Sequence, residues 1–215
     1  MKNSILKTTF LLLLISAIYI QGQAQELDPL QLGVKVGLNL SNLYAADATS
    51  TDMITGLNLG VFARKPVSEI IDIQPELYIS TKGASITYNS LLVDGTAKFN
   101  LTYIEMPILC VIKISHFIHL EAGPYVSYLI DGKVKNMANV NLFNFEQNIN
   151  VNDFNRIDAG FIVGVGAEVH QITMGVSYNY GLTKVGKENT FLGTTYYIPN
   201  ATNGVINFYI SVPIL

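Results

Sequence analysis

The sequence predicts an all-β fold, an eight-stranded antiparallel up-and-down transmembrane β-barrel of the small size class. Three observations predict it. A period-two alternation of apolar with small or polar residues recurs in eight segments. A secretory leader precedes them, and the connections between them alternate between long and short. Side chains alternate across a strand, so each segment separates an apolar surface from a polar one. A soluble barrel would carry its polar residues outside; here the charges share a face with glycines, as suits a narrow polar lumen inside a lipid-facing wall.

The leader occupies residues 1–24. Lys2 and Lys7 give a positive start, Phe10 to Ile20 is apolar apart from Ser16, and Gly22-Gln23-Ala24 is a small-x-small cleavage site. Cleavage after Ala24 is expected to leave a barrel domain of residues 25–215 beginning at Gln25. No cysteine follows the apolar core, so no lipid anchor is expected there.

The first strand is 32–41. Leu32, Val34, Val36, Leu38 and Leu40 form one face, and Gly33, Lys35, Gly37, Asn39 and Ser41 the other. The second, 55–65, sets Leu57, Leu59, Val61 and Ala63 against Asn58, Gly60, Phe62 and Arg64. The third, 70–82, opposes Ile71, Ile73, Leu77 and Ile79 to Asp72, Gln74, Glu76, Tyr78 and Lys82. The fourth, 99–113, sets Ile104, Met106, Ile108, Cys110 and Ile112 against Tyr103, Glu105 and Lys113. In the fifth, 117–130, Ile118, Leu120, Ala122, Val126 and Ile130 oppose His119, Glu121, Gly123 and Ser127.

The sixth strand, 156–169, is the clearest. Ile157, Ala159, Phe161, Val163, Val165, Ala167 and Val169 face out; Arg156, Asp158, Gly160, Gly164, Gly166 and Glu168 face in, with Ile162 the exception. The seventh, 171–182, opposes Ile172, Met174, Val176, Tyr178 and Tyr180 to Thr173, Gly175, Ser177, Asn179 and Gly181. The eighth, 204–214, sets Ile206, Phe208, Ile210, Val212 and Ile214 against Asn207 and Ser211. Pro75, Pro107 and Pro124 fall inside strands, where each removes a ladder donor, and bulges or kinks are expected at them.

Residues 66–69, 114–116 and the single position 170 are short connections; 42–54, 83–98, 131–155 and 183–203 are long and read as loops. The strict alternation places short turns and both chain ends on the periplasmic side and the long loops outside. The third long loop holds eight Asn between 136 and 155, with Phe143, Phe145 and Phe154 available to pack it or to meet a partner. Tyr128, Tyr178 and Tyr180 fall on the outer face near the external end, where an aromatic girdle belongs.

Composition fits a membrane barrel and excludes other classes. Charged residues are 13% of the chain, about half the usual share. The net charge is −3, two of the 13 basic residues lie in the leader, and no basic run is interleaved with aromatics, so nucleic acid is not an expected partner. After the leader no apolar run is long enough for a spanning helix, so a membrane protein of this sequence must close into a barrel. Cys110 is the only cysteine, which excludes an internal disulfide.

The segments GVKVGLNLSNL (33–43), LGVFARKPVSEIIDIQPELYISTKGA (59–84), LTYIEMPILCVIK (101–113), LEAGPYVSYLIDGK (120–133) and SYNYGLTKV (177–185) together resemble the PorT-like outer-membrane β-barrel family of Bacteroidetes. The resemblance covers nearly all of 25–215, with QPEL, YIEMP and EAGPY the most distinctive pieces. It implies an eight-stranded barrel in the outer membrane of a Gram-negative bacterium; the founding member of this broad family resembles an accessory of a protein-secretion system. The chain stops at Leu215 and not at an aromatic residue, a departure from a common barrel ending, although Phe208 and Ile210 keep the last strand apolar.

Chemistry is sparsely encoded. The inward charges are Lys35, Arg64, Lys82, Lys113 and Arg156 against Asp72, Glu76, Glu105, Glu121, Asp158 and Glu168. They offer an ion pathway, a proton relay, or a plug of ion pairs. An eight-stranded lumen is just wide enough for side chains, and unpaired charges there are expensive, so the plug is the expected arrangement. His116 and His170 fall in turns and His119 nearby, with no converging ligands, so no metal site is expected. No Gly-x-Ser-x-Gly elbow occurs, and Gly160, Gly164 and Gly166 lack the remainder of a nucleotide loop. No catalytic, cofactor-binding or metal residue is therefore expected. The expected role is a non-enzymatic, monomeric barrel in outer-membrane lipid that presents its loops or docks a protein partner; a small ion or solute channel and a membrane-embedded enzyme acting on lipid or peptide are the alternatives.

Overall fold

In a computed structural model the described residues are 29–45, 51–89, 94–138, 145–148, 151, 154–186, 188–191, 194–197 and 201–214. The leader, Phe143 and the tips of the long connections lie outside them. Eight long strands form one wall: β1 (Gln31–Ala45), β2 (Ile54–Pro66), β3 (Ile71–Asn89), β4 (Asp94–Lys113), β5 (Ile118–Ala138), β6 (Ile157–Val169), β7 (Ile172–Lys184) and β8 (Ala201–Pro213). Each pairs antiparallel with its chain neighbours, and β8 returns to β1 from Gly33↔Pro213 to Ala45↔Ala201. The ring is closed, as the alternation predicts. Closure pairs the backbone at membrane depth, where lipid offers no hydrogen-bond partner.

Within the apolar band, burial follows sequence parity; on β5 the parity inverts past Ile130, where the register shifts. On β6, Ile157, Phe161, Val163, Val165 and Val169 are exposed on the outside, while Asp158, Gly160, Ile162 and Gly166 are buried within. Tyr128 and Tyr180 stand on the outer face near the external ends of their strands, as an interfacial girdle requires. Cys110 faces outward and is half-buried.

The short connections are built by two devices. In both longer turns a serine hydroxyl accepts the N–H of the residue that starts the next strand: Ile71 N–H to Ser68 (3.1 Å) and Ile118 N–H to Ser115 (3.2 Å). Between β6 and β7 the connection is two residues, not one. His170 and Gln171 both have positive φ (58° and 94°), the signature of a tight type I′ hairpin.

The long connections are less loop-like than the sequence predicts. β3, β4 and β5 hold 19, 20 and 21 residues, about twice the 9–11 that cross a bilayer. β3 and β4 remain paired to Asn89↔Asp94, so most of 83–98 is hairpin. β5 continues to Ala138, and Phe145–Asn148 pairs back onto it. Thr51–Asp52 adds to β3, and Glu188–Phe191 pairs with Thr194–Tyr197. Outside the membrane both faces of a strand meet water, so no apolar alternation marks these extensions.

The prolines do not produce bulges. Pairing skips two positions on each of three consecutive ladders and resumes unshifted: between Phe62↔Glu76 and Lys65↔Ile73, between Pro75↔Ile108 and Tyr78↔Glu105, and between Pro107↔Tyr125 and Cys110↔Ala122. Pro75 and Pro124 face out at nearly the level of Ile108, and Pro107 faces in beside it. The missing donors thus form a seam across β2–β5 in the periplasmic half of the wall. The register shifts lie elsewhere, at Thr102/Tyr103 and at Thr202/Gly204.

Candidate functional site

The lumen gathers the inward charges into two buried tiers. In the periplasmic-side tier Lys35 lies 3.1 Å from Glu76 and 3.8 Å from Glu121. Its Nζ sits 3.9 Å from the centroid of the Tyr209 ring, and the Tyr209 hydroxyl donates to Glu121 at 3.1 Å. Gln74 donates to Glu76 and accepts from Arg64 Nε, which ties the tier to the rim. In the external-side tier Lys82 pairs with Glu105 and lies 3.6 Å from Asp158. Asp158 also accepts from Thr183 (2.9 Å), Asn203 (3.0 Å) and Tyr125 (3.2 Å). Asn179 donates to Glu105 at 3.1 Å.

A neutral polar layer separates the tiers. Asn39 donates to Ser80 and to the Thr81 carbonyl, both at 3.0 Å, and accepts from Asn207 at 2.9 Å. At the periplasmic rim Lys113 pairs with Asp72 (2.8 Å) and Arg64 with Glu168 (3.5 Å). At the external mouth Leu43, Ala84, Leu101, Tyr103, Leu129, Phe154, Val185 and Ala201 pack into an apolar cap. Phe154, one of the three aromatics of the Asn-rich connection, is turned into that cap and buried, while a bridge joins its backbone to Gly186.

Ten of the eleven predicted inward charges are thus brought together, in two groups of three and two pairs, as a plug requires. Arg156 is the exception. It lies just before β6, and its guanidinium turns to the outer face, where it donates to the Tyr128 hydroxyl at 2.9 Å. The residue precedes the regular strand, so strand parity does not fix its direction. Sequence reasoning missed Tyr125, Tyr209, Thr183 and Asn203. Two of these carried a usable signal: Tyr125 shares parity with Glu121 and Ser127, and Tyr209 with Asn207 and Ser211. Leu109, Tyr125 and Ile162 also make a small apolar contact inside the barrel.

Each tier holds one lysine and two carboxylates. Stripping a lysine of its partners at this depth leaves a charge that neither water nor lipid compensates, so the tiers hold together as units. Chemically they resemble structural ion-pair networks more than reaction centres. Among the described residues no three His, Cys, Asp and Glu side chains converge as metal ligands do. His119 is buried against Gly166, while His116 and His170 lie exposed in turns.

A closed meander with an apolar outside, a charged inside, short turns at one end and long extensions at the other defines an integral β-barrel of the outer-membrane type. The chain belongs to the outer membrane protein beta-barrel domain family, whose model matches residues 21–186. Its location is the outer membrane. No curated protein matches it in sequence.

Solved structures that it matches include outer-membrane proteins. Neisserial surface protein A is 14% identical, with 86% of this chain and 99% of that one covered and a TM-score of 0.48. Ail, the attachment invasion locus protein of Yersinia pestis, is 12% identical over 85% and 96%, with a TM-score of 0.43. The outer membrane protease OmpT of Escherichia coli is 8% identical over 90% and 99%, with a TM-score of 0.40. At these values the likenesses add nothing to the strand pairing, which defines the fold by itself.

Proposed function

We propose that this protein is a non-enzymatic outer-membrane barrel that presents its external strands to a protein partner and does not conduct. The lumen carries this reading: both tiers are ion-paired, and the external mouth is capped by Phe154, Val185 and their apolar neighbours. Meanwhile β3, β4 and β5 continue well beyond the length a bilayer needs and form an ordered sheet outside it. The segments quoted above further support a place in the PorT-like group and, with it, an accessory role in protein secretion.

Planar-bilayer recording of the purified barrel tests the reading. A plugged lumen gives little steady current. A stable ohmic conductance would favour the small channel instead. Cross-linking on intact outer membranes, followed by pull-down, should capture a partner from the parent and lose it when the β3–β4 hairpin is shortened beyond Ser85 and Lys98. Capture that is unaffected by the shortened hairpin would count against presentation by these strands.

A further inference from the structure

We propose that the outer wall at Pro75 is a phospholipid site: the groove there holds one acyl chain of the periplasmic leaflet, with the lipid phosphate at Lys65. The groove has a volume of about 560 Å³, within the roughly 300–1,000 Å³ range of small-ligand pockets. Its apolar lining includes Val34, Val61, Ala63, Pro75, Leu77 and Ile214. Gly33, Phe62 and Glu76, whose side chains point inward, also border it, so the groove runs down to the backbone of the wall.

The depression coincides with the seam. Pro75 offers no N–H to β2, and pairing lapses where Ala63 and Arg64 stand opposite Pro75 and Gln74. The groove lies a few residues from the short turns, which places it against the periplasmic leaflet. In a Gram-negative outer membrane that leaflet is phospholipid, and the external one is lipopolysaccharide. An apolar groove in a lipid-facing wall has hydrocarbon as its neighbour, so the occupant is an acyl chain.

Lys65 supplies the headgroup contact. The outward row of β2 runs Val61, Ala63, Lys65, so the lysine continues the line of the groove to the rim. It is exposed there and pairs in register with outward Ile73. A lysine at a membrane interface extends its ammonium toward the phosphate level while its stem stays on apolar surface. The site is independent of what the external strands present.

Native mass spectrometry of the full-length barrel, extracted from its own membranes in mild detergent, tests the proposal, with Ala63→Trp to fill the groove and Lys65→Gln to remove the charge. The parent should retain one phospholipid per barrel. Ala63→Trp should lose it severalfold, and Lys65→Gln should weaken it. Val163→Leu on the far wall is the control and should retain it. Gel mobility with and without heating shows whether Ala63→Trp has folded; if it has not, Lys65→Gln decides, read also with spin-labelled phospholipid in phosphatidylcholine vesicles. No retained lipid on the parent, lipopolysaccharide in place of phospholipid, or equal occupancy in parent and Lys65→Gln would each overturn the site.

Discussion

Replacing Val163 by arginine should cost the folded barrel about 2–4 kcal/mol, and the structure indicates why that position is the right one. Val163 is 55% exposed on the outer face and lies between Ala122 of β5 and Tyr178 of β7. It is the central residue of β6, which holds 13 residues. At about 3.3 Å per residue and a tilt of roughly 40°, β6 rises about 30 Å, slightly more than the ~25 Å apolar band of such barrels. Val163 therefore sits near the midplane and Ile157 near the external boundary. The same substitution at Ile157, itself exposed, should cost only about 0–1 kcal/mol, because the guanidinium reaches the interface. The midplane penalty corresponds to a loss of about thirtyfold or more in the folding equilibrium. The assay is reversible folding into lipid vesicles over a denaturant series, read by gel mobility, with Val163→Leu as the control. Gly164→Ser is not a mild inner-face comparison, since a Cβ there would lie 2.8 Å from the Ser177 Cβ and 2.9 Å from the Val176 carbonyl oxygen. If Val163→Arg folds as well as the parent, or if Ile157→Arg costs as much, the outer face is not in lipid at the depth assigned.

Lys82→Met should destabilise the barrel by about 3–5 kcal/mol in the same assay, because Glu105 and Asp158 remain buried together; adding Glu105→Gln and Asp158→Asn should recover most of the loss. Gln171→Gly should stabilise by about 1 kcal/mol, since a φ of 94° suits glycine and strains glutamine; an unchanged unfolding midpoint would refute the strain. Protease applied to intact cells should cut within 131–155 or 183–203 before 66–69 or 114–116, and the opposite preference would invert the topology. Intact mass of the membrane form should place the first residue at Gln25, and a retained Met1 would overturn the leader assignment.

Most of the wall was legible because lipid imposes a rule that single residues obey. Each outward position in the membrane band must be apolar, so parity alone assigns Val163 out and Gly164 in. The rule lapses where lipid ends. Ser85 and Thr87 continue β3 past the apolar band, and nothing in their pattern distinguishes strand from loop. Arg156 fails for the same reason at the same boundary. The prolines were visible as missing donors, yet their effect depends on the strands beside them: Pro75, Pro107 and Pro124 lie within one band only because β3, β4 and β5 pair in the observed register.

The tiers were legible as a set of charges but not as pairs, and the reason is geometric. Parity gives the face of a residue and nothing about which distant strand it reaches. Lys35 on β1 stands opposite Gly60 of β2, and Glu76 belongs to β3, the strand after that. The lysine reaches across β2 to Glu76, and the position it passes is kept free of a side chain by its own neighbours: a Cβ at Gly60 would collide with the Leu77 carbonyl and the Tyr78 ring. Gly37 does the same service one step higher, where a Cβ would lie 2.6 Å from Asn207 Nδ2 and 2.7 Å from Asn58 Oδ1, both partners of Asn39. The inner-face glycines thus leave room that the long side chains of neighbouring strands occupy. Lys35–Glu76 needs the register of three strands, since Tyr78 and not Glu76 stands opposite Gly60, and Lys82–Asp158, reaching from β3 to β6, needs the closed barrel.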